Sequence, residues 1–194
     1  MADLAIEQRL LTLDDLLAMA DDTRVEIIDG EIVPMTAAGV THGLIGGNIY
    51  HPLRLYLEQH DIGVVLPDGV TYLMHSPVSG LKDAYEPDVS FMRHENVPAG
   101  WNPEKPHPGV PDLAVEIVSP GNDADALQQK RHTYLEKGTQ QVWFVYPRLR
   151  EVHVYSPDAV RIYSGAEAID VSSFFPGLEP LNLAVIFKLP IWAQ

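Results

Sequence analysis

Two acidic residues sit where an acid needs a reason. Glu116 lies inside PDLAVEIVSP, residues 111–120, between Leu113-Ala114-Val115 and Ile117-Val118. Such a run reads as a strand covered on both faces. A carboxylate buried there must be paired, protonated or bound to a metal. Asp88 has a similar setting, at the start of a strand in Glu86-Pro87-Asp88-Val89. If the two strands are neighbours, both carboxylates converge at one end of a sheet. Hard oxygen ligands in such a pair suit Mg²⁺ or Mn²⁺, which keeps several waters and binds substrate phosphate. The peptide carbonyl of Ile117 is a further candidate ligand. Lys130, one helix downstream, would bring a cation to the attacking water and complete a hydrolytic set. Tyr134 is four residues on and shares its helix face, whereas Arg131 points about 100° away.

Each residue also has a plainer reading. Glu116 could be a structural carboxylate held by an arginine or by backbone. Asp88 could be a turn residue, as Pro-Asp often is, and Lys130 a solvated helix residue. Asp112 is a second Pro-Asp, on the same strand face as Glu116 but about 13 Å away at strand rise. That is too far to share one ion, so it reads as the residue that starts the strand. His51, His60, His75, His94, His107, His132 and His153 show no short ligand spacing.

The elements that must position these groups follow from the pattern. Thr12 caps a helix beginning at Leu13, with Asp14 and Asp15 in its first turn. Val25–Ile28 and Glu31–Val33 flank Asp29-Gly30, a hairpin signal. Residues 41–60 show a helical stripe of Leu44, Ile45, Ile49, Leu53, Tyr56 and Leu57, with Pro52 expected to kink or split it. Strands are predicted at 63–66, 70–74 and 87–91, with a Ser/Pro/Gly-rich loop after Met74 and an irregular loop over 96–110. After the 113–118 strand, a helix is predicted from Asn122 to Lys137, ended by Gly138. Strands at 142–146, 151–155 and 161–163 follow. The strand–helix–strand order from 113 to 146 implies a locally parallel pair. The aromatic pairs Trp143-Phe144 and Phe174-Phe175 read as core or subunit interface. The fold class is α/β or α+β, one domain over 1–194 with a mixed sheet.

Composition limits the partners. The chain has 194 residues, 46% of them hydrophobic, and a net charge of −14 from 27 acids against 13 lysines and arginines. That balance argues against the broad basic face that dominates nucleic-acid affinity. No cysteine is present, which excludes disulfides and thiolate metal sites and fits a reducing cytoplasm. No apolar run approaches roughly 18 residues, so no membrane span is expected. The opening residues MADLAIEQRLLTLDDLL carry acids and no long apolar run, so no secretory signal is expected either.

Taken in order, VEIIDGEIVPM, the Thr41-His42 helix start, EPDVSFM, PDLAVEIVSP, KRHTYLEKGTQQVWFVYP, EVHVYS and FFPGLE resemble the restriction-endonuclease-like proteins of the Uma-two type, within the PD-(D/E)XK nuclease superfamily. The likeness runs from about Val25 to Phe187. It implies a restriction-endonuclease-like mixed sheet flanked by helices, and a Mg²⁺- or Mn²⁺-dependent endonuclease acting on DNA. By that resemblance Asp88 and Glu116 are the metal ligands. The superfamily's lysine position, two after the acid, holds Val118 here, and the resemblance moves the lysine to Lys130. Glu26 matches an acid that reaches the metal shell, and His42 a histidine near the site. The chain departs from relatives at Asn122–Ala126, where basic residues and an aspartate are common, and at Gln129, where glutamate is common. The alternative is a catalytically weak or inactive module on the same fold that binds a protein partner. A homodimer is expected by analogy with nucleases that cut both strands.

Overall fold

The computed structural model describes residues 11–20, 24–76 and 80–193. The opening residues read for a secretory signal, 1–10, and the centre of the Ser/Pro/Gly-rich stretch, 77–79, lie outside the described residues.

Local rules shape the elements. Helix α1 (Leu13–Ala20) starts where Thr12 Oγ1 accepts the Asp15 N–H at 3.2 Å, while the Asp15 carboxylate accepts the Thr12 N–H at 2.8 Å, a reciprocal cap. Strands β1 (Val25–Ile28) and β2 (Glu31–Pro34) are joined by Asp29 and Gly30 at φ +51° and +83°, the left-handed pair that a tight hairpin needs. Helix α2 (Val40–Leu57) runs unbroken through Pro52, against the expectation of a split. Ile45, Ile49, Leu53 and Leu57 are all buried along it. At about 1.5–3 kcal/mol each, their burial outweighs the ~3 kcal/mol disruption by one proline. Helix α3 (Ala124–Lys137) begins two residues later than expected, because Asp123 is its cap and accepts the Ala126 N–H at 2.9 Å. Gly138, at φ +111°, ends it as the sequence indicates.

The remaining strands are β3 (Gly63–Pro67), β4 (Tyr72–Ser76), β5 (Gly80–Tyr85), β6 (Val89–Arg93), β7 (His107–Pro108), β8 (Leu113–Ile117), β9 (Gln141–Tyr146), β10 (Glu151–Ser156), β11 (Ala159–Tyr163), β12 (Ala168–Ile169) and β13 (Leu181–Asn182), followed by α4 (Leu183–Ile186). They form a five-stranded sheet in the order β2-β1-β5-β4-β7, a six-stranded sheet in the order β11-β10-β9-β8-β6-β3, and a small β12-β13 pair. The mixed α/β class matches expectation, with β8 and β9 parallel across the α3 crossover. Strand β5 is the main correction, since loop was expected after Met74. It pairs with both β1 and β4, which makes β1 an interior strand. The short β7 likewise pairs with β4 inside the stretch expected to be irregular.

Both faces of β8 are covered. Leu113, Val115 and Ile117 pack with the α2 stripe, Trp143 and Phe175 in one core cluster. Ala114 lies in a second cluster with Tyr72, Tyr85, Tyr134 and Phe144, between the two sheets and α3. Strand alternation puts Glu116 on that second side. Trp143, Phe144, Phe174 and Phe175 are all buried core residues. Among the described residues, no helix is long and apolar enough to cross a membrane.

Candidate functional site

Adjacent strands bring the two carboxylates together. Strands β6 and β8 run antiparallel with Val89 opposite Val115 and Ser90 opposite Ala114. One further step in that register sets Asp88 opposite Glu116. Asp88 lies in the Glu86-Pro87-Asp88 link by which the chain leaves β5 in one sheet and enters β6 in the other. Its Oδ2 accepts the Ile117 N–H at 2.6 Å, and its Oδ1 meets His42 Nε2 at 2.7 Å. The bond to Asp88 is what chiefly raises the His42 pKa, against partial burial. The Nδ1 of His42 is buried and has no partner among the described residues.

Lys130 reaches the same place from α3. It is only 6% exposed, which excludes a solvated helix position. Its Nζ lies 2.8 Å from the Glu116 carboxylate and 2.9 and 3.1 Å from the two oxygens of Glu26. Tyr134, one turn on, donates to Glu116 at 3.2 Å, so both residues of that helix face meet the acid. Glu26 is buried in β1 and also accepts the Glu86 N–H at 2.9 Å. An acid in one arm of a hairpin would ordinarily sit on the surface, but α3 packs on β1 and Lys130 meets the Glu26 carboxylate.

One lysine faces two carboxylates, with a third nearby. Burial lowers the pKa of Lys130, but Glu116 and Glu26 more than offset it, so the amine stays charged. Glu116 is pushed up, first by burial and then by the charges of Glu26 and Asp88, with Lys130 opposing. Fully ionised, two acids around one lysine would leave a surplus negative charge in a buried place, and Glu116 is the acid whose ionisation burial and that surplus oppose. A divalent cation would relieve that surplus, and the donors facing it are hard oxygens. Among the described residues, no three or more acids and histidines are arranged to hold an ion alone. The fit is therefore to a site of two protein carboxylates whose other ligands are water and substrate.

These groups line one cleft of about 220 Å³, together with Arg24, Asp68, Glu86, Ala126 and Leu127. The family model described as "Uma2: Putative restriction endonuclease" matches residues 12–185. The chain belongs to the Uma2 family. A solved structure described as a putative nuclease belonging to DUF820 from Anabaena variabilis ATCC 29413 matches with a TM-score of 0.75 at 20% identity, covering 91% of this chain and 97% of that one. At that identity the likeness establishes the fold. No curated protein matches the sequence.

Within this Uma2 chain, every sequence-predicted site residue except the Ile117 carbonyl can be placed by its contacts. Asp88, Glu116, Lys130, Glu26 and His42 converge, and Ile117 joins them through its N–H. Sequence reasoning missed Arg24, Asp68 and Glu86. Arg24 bridges the other two, 2.5 Å from Asp68 and 2.7 Å from Glu86, and Glu86 also accepts from Thr71 at 2.7 Å. The quoted Glu86-Pro87-Asp88 held a signal, since alternate residues of an extended segment share a side.

Proposed function

We propose that this protein is a metal-dependent phosphodiester hydrolase with a PD-(D/E)XK-type site, acting on DNA as an endonuclease. The observation that carries the reading is Asp88 and Glu116 in register on adjacent strands, with a buried, charged Lys130 in the same cleft. Asp88, Glu116 and the Ile117 carbonyl would hold Mg²⁺ or Mn²⁺. When bound, the ion supplies charge neutralisation at the scissile phosphate and a more acidic water.

The chain's own residues do the rest. His42 and the Ile117 N–H fix the Asp88 carboxylate on both oxygens. Glu26 holds Lys130 in place and is a positioning residue. Lys130 presents a positive charge to the phosphoryl oxygens, where negative charge builds up in the transition state. Its two carboxylates favour the charged amine, so the part it offers is electrostatic. Tyr134 orients Glu116.

The test is hydrolysis of single- and double-stranded DNA with Mg²⁺ or Mn²⁺, alongside calorimetric titration of Mn²⁺. Asp88→Ala and Glu116→Gln should lose both ion binding and cleavage. Cleavage by Glu116→Gln equal to that of the unaltered protein would refute the mechanism.

A second reading, a weak or inactive module that binds a protein partner, has its own support. The net charge is −14, and Arg24 and Lys130 in the cleft are each shared between two acids. Metal binding without cleavage of any polynucleotide would favour it. The homodimer now rests on different residues. The aromatic pairs are buried, but edge strand β11 exposes Val160 and Ile162 at 59% and 53%. A monomer mass by light scattering would remove it.

A further inference from the structure

The carboxylate cleft has a neighbour. A mostly apolar cavity of about 460 Å³ opens beside it, and His42 and Ser119 line both. Its other walls include Pro120, just past β8, and Tyr146, Arg148 and Leu149, at and just past the end of β9. Ligands of open α/β sheets bind in crevices beyond the carboxyl ends of parallel strands, and the cavity lies just past the carboxyl ends of the parallel neighbours β8 and β9.

The lining says what fits. Tyr146 is half-buried, and His153 backs its ring with centroids 4.5 Å apart. Arg148 is exposed and enters no ion pair among the described residues, unlike Arg24 and Lys130 in the cleft. A cavity with an aromatic wall, apolar surroundings and one unneutralised guanidinium suits a ligand that is flat at one end and anionic at the other. A nucleotide has that form. Bases stack on aromatic rings for about 1–3 kcal/mol each, and guanidinium groups match phosphate oxygens. The volume lies in the ~300–1,000 Å³ range of small-ligand sites. A base stacked inside a duplex cannot enter such a cavity, whereas an unpaired one can.

We propose that this cavity binds one unstacked nucleotide adjacent to the scissile phosphate, with Tyr146 stacking on the base and Arg148 holding a backbone phosphate, so that the substrate is single-stranded or locally unpaired polynucleotide. The proposal rests on the phosphodiesterase reading, but its binding step can be measured apart from cleavage.

The probe is a dT single strand of about 15 nucleotides carrying one 2-aminopurine, titrated at low salt with Ca²⁺ in place of Mg²⁺. The fluorescence should be quenched on binding. Affinity should exceed that for the matching duplex by about tenfold or more. Tyr146→Ala and Arg148→Ala should each weaken it about tenfold, and Tyr146→Phe, which keeps the ring, should restore it. The proposal is overturned if duplex binds equally well, if no oligonucleotide binds, or if both alanine variants fold by circular dichroism and bind unchanged. Binding through Tyr146 and Arg148 without any cleavage under Mg²⁺ would sink the hydrolase and keep the subsite. Glu116-dependent cleavage indifferent to both alanine variants would do the reverse.

Discussion

Asp112 and Glu116 stand four residues apart, are buried to 4% and 8% exposure, and belong to two different kinds of site. Asp112 accepts the Arg93 N–H at 2.8 Å, Asn96 Nδ2 at 2.7 Å and Gln140 Nε2 at 2.9 Å, with the Arg93 guanidinium 3.7 Å away. Its ring of donors is closed, and it joins β6, β8 and the start of β9. Glu116 has two donors, Lys130 and Tyr134. It shares the lysine with Glu26 and faces a cleft that Asp88 also lines. Burial of a carboxylate does not mark a reactive site. A deficit of donors beside like charges, opening onto space, does.

That comparison can be broken in graded ways. The largest effect is expected at the shared cation. Lys130→Met leaves Glu26 and Glu116 uncompensated and should destabilise the fold by about 3–5 kcal/mol, measured by urea denaturation. Adding Glu26→Gln should recover part of that loss; no recovery would mean Lys130 matters for packing alone.

The two acids should then separate stability from activity. Glu116→Gln should lower metal-dependent hydrolysis by about 10²–10³-fold and move stability by less than about 1 kcal/mol. Asp112→Ala should lower stability by about 1–3 kcal/mol, since three part-buried hydrogen bonds lose their charged acceptor, and leave Mn²⁺ binding intact. If instead Asp112→Ala abolishes ion binding, the division between closed and open carboxylates is wrong.

A smaller effect belongs to His42. His42→Ala removes one of the two bonds that orient Asp88 and should weaken Mn²⁺ binding about tenfold, read by calorimetry.

The smallest concerns the buried ring of His107. Both ring nitrogens of His107 are unpartnered among the described residues, and burial lowers its pKa. The unfolded chain therefore takes up this proton first as pH falls below about 6.5. The contribution of His107 to stability is full above that pH and is lost on acidification. Between about pH 7.5 and about pH 5.5, His107→Phe should lose less stability than the unaltered protein. Equal losses in thermal melts would show that His107 finds a partner when charged.

Much of the site was legible because its spacing is local. A Pro-Asp at a strand start, an acid in a doubly covered strand and a lysine on the next helix need only strand adjacency and helical period to converge. Glu26 was legible only through the family resemblance. Its burial comes from α3, whose Lys130 meets it across 104 residues of sequence, and the signal of β5, which makes β1 interior, is weak, because Ser76-Pro77-Val78-Ser79-Gly80 punctuates as a loop. Without β5 the β1–β2 hairpin looks free and its acid exposed. The cavity at Tyr146 and Arg148 was illegible for another reason. It forms where the chain leaves two neighbouring strands, at Ile117 and at Tyr146, and no periodicity links them. Pro52 does not split its helix, because propensity is local, whereas the burial that overrides it is not.

The Glu26–Lys130–Glu116 trio joins the five-stranded sheet, which holds β1, to the six-stranded sheet, which holds β8. The joint that fastens the two sheets is thus also the site proposed to hold the metal, and that coincidence has an evolutionary consequence. A descendant cannot drift out of activity by losing the lysine first, because that step loosens the framework before any new use can be selected. It must first neutralise one of the two acids. An inactive relative that still folds should therefore carry its substitutions in a particular historical order, with a lost glutamate as the older scar.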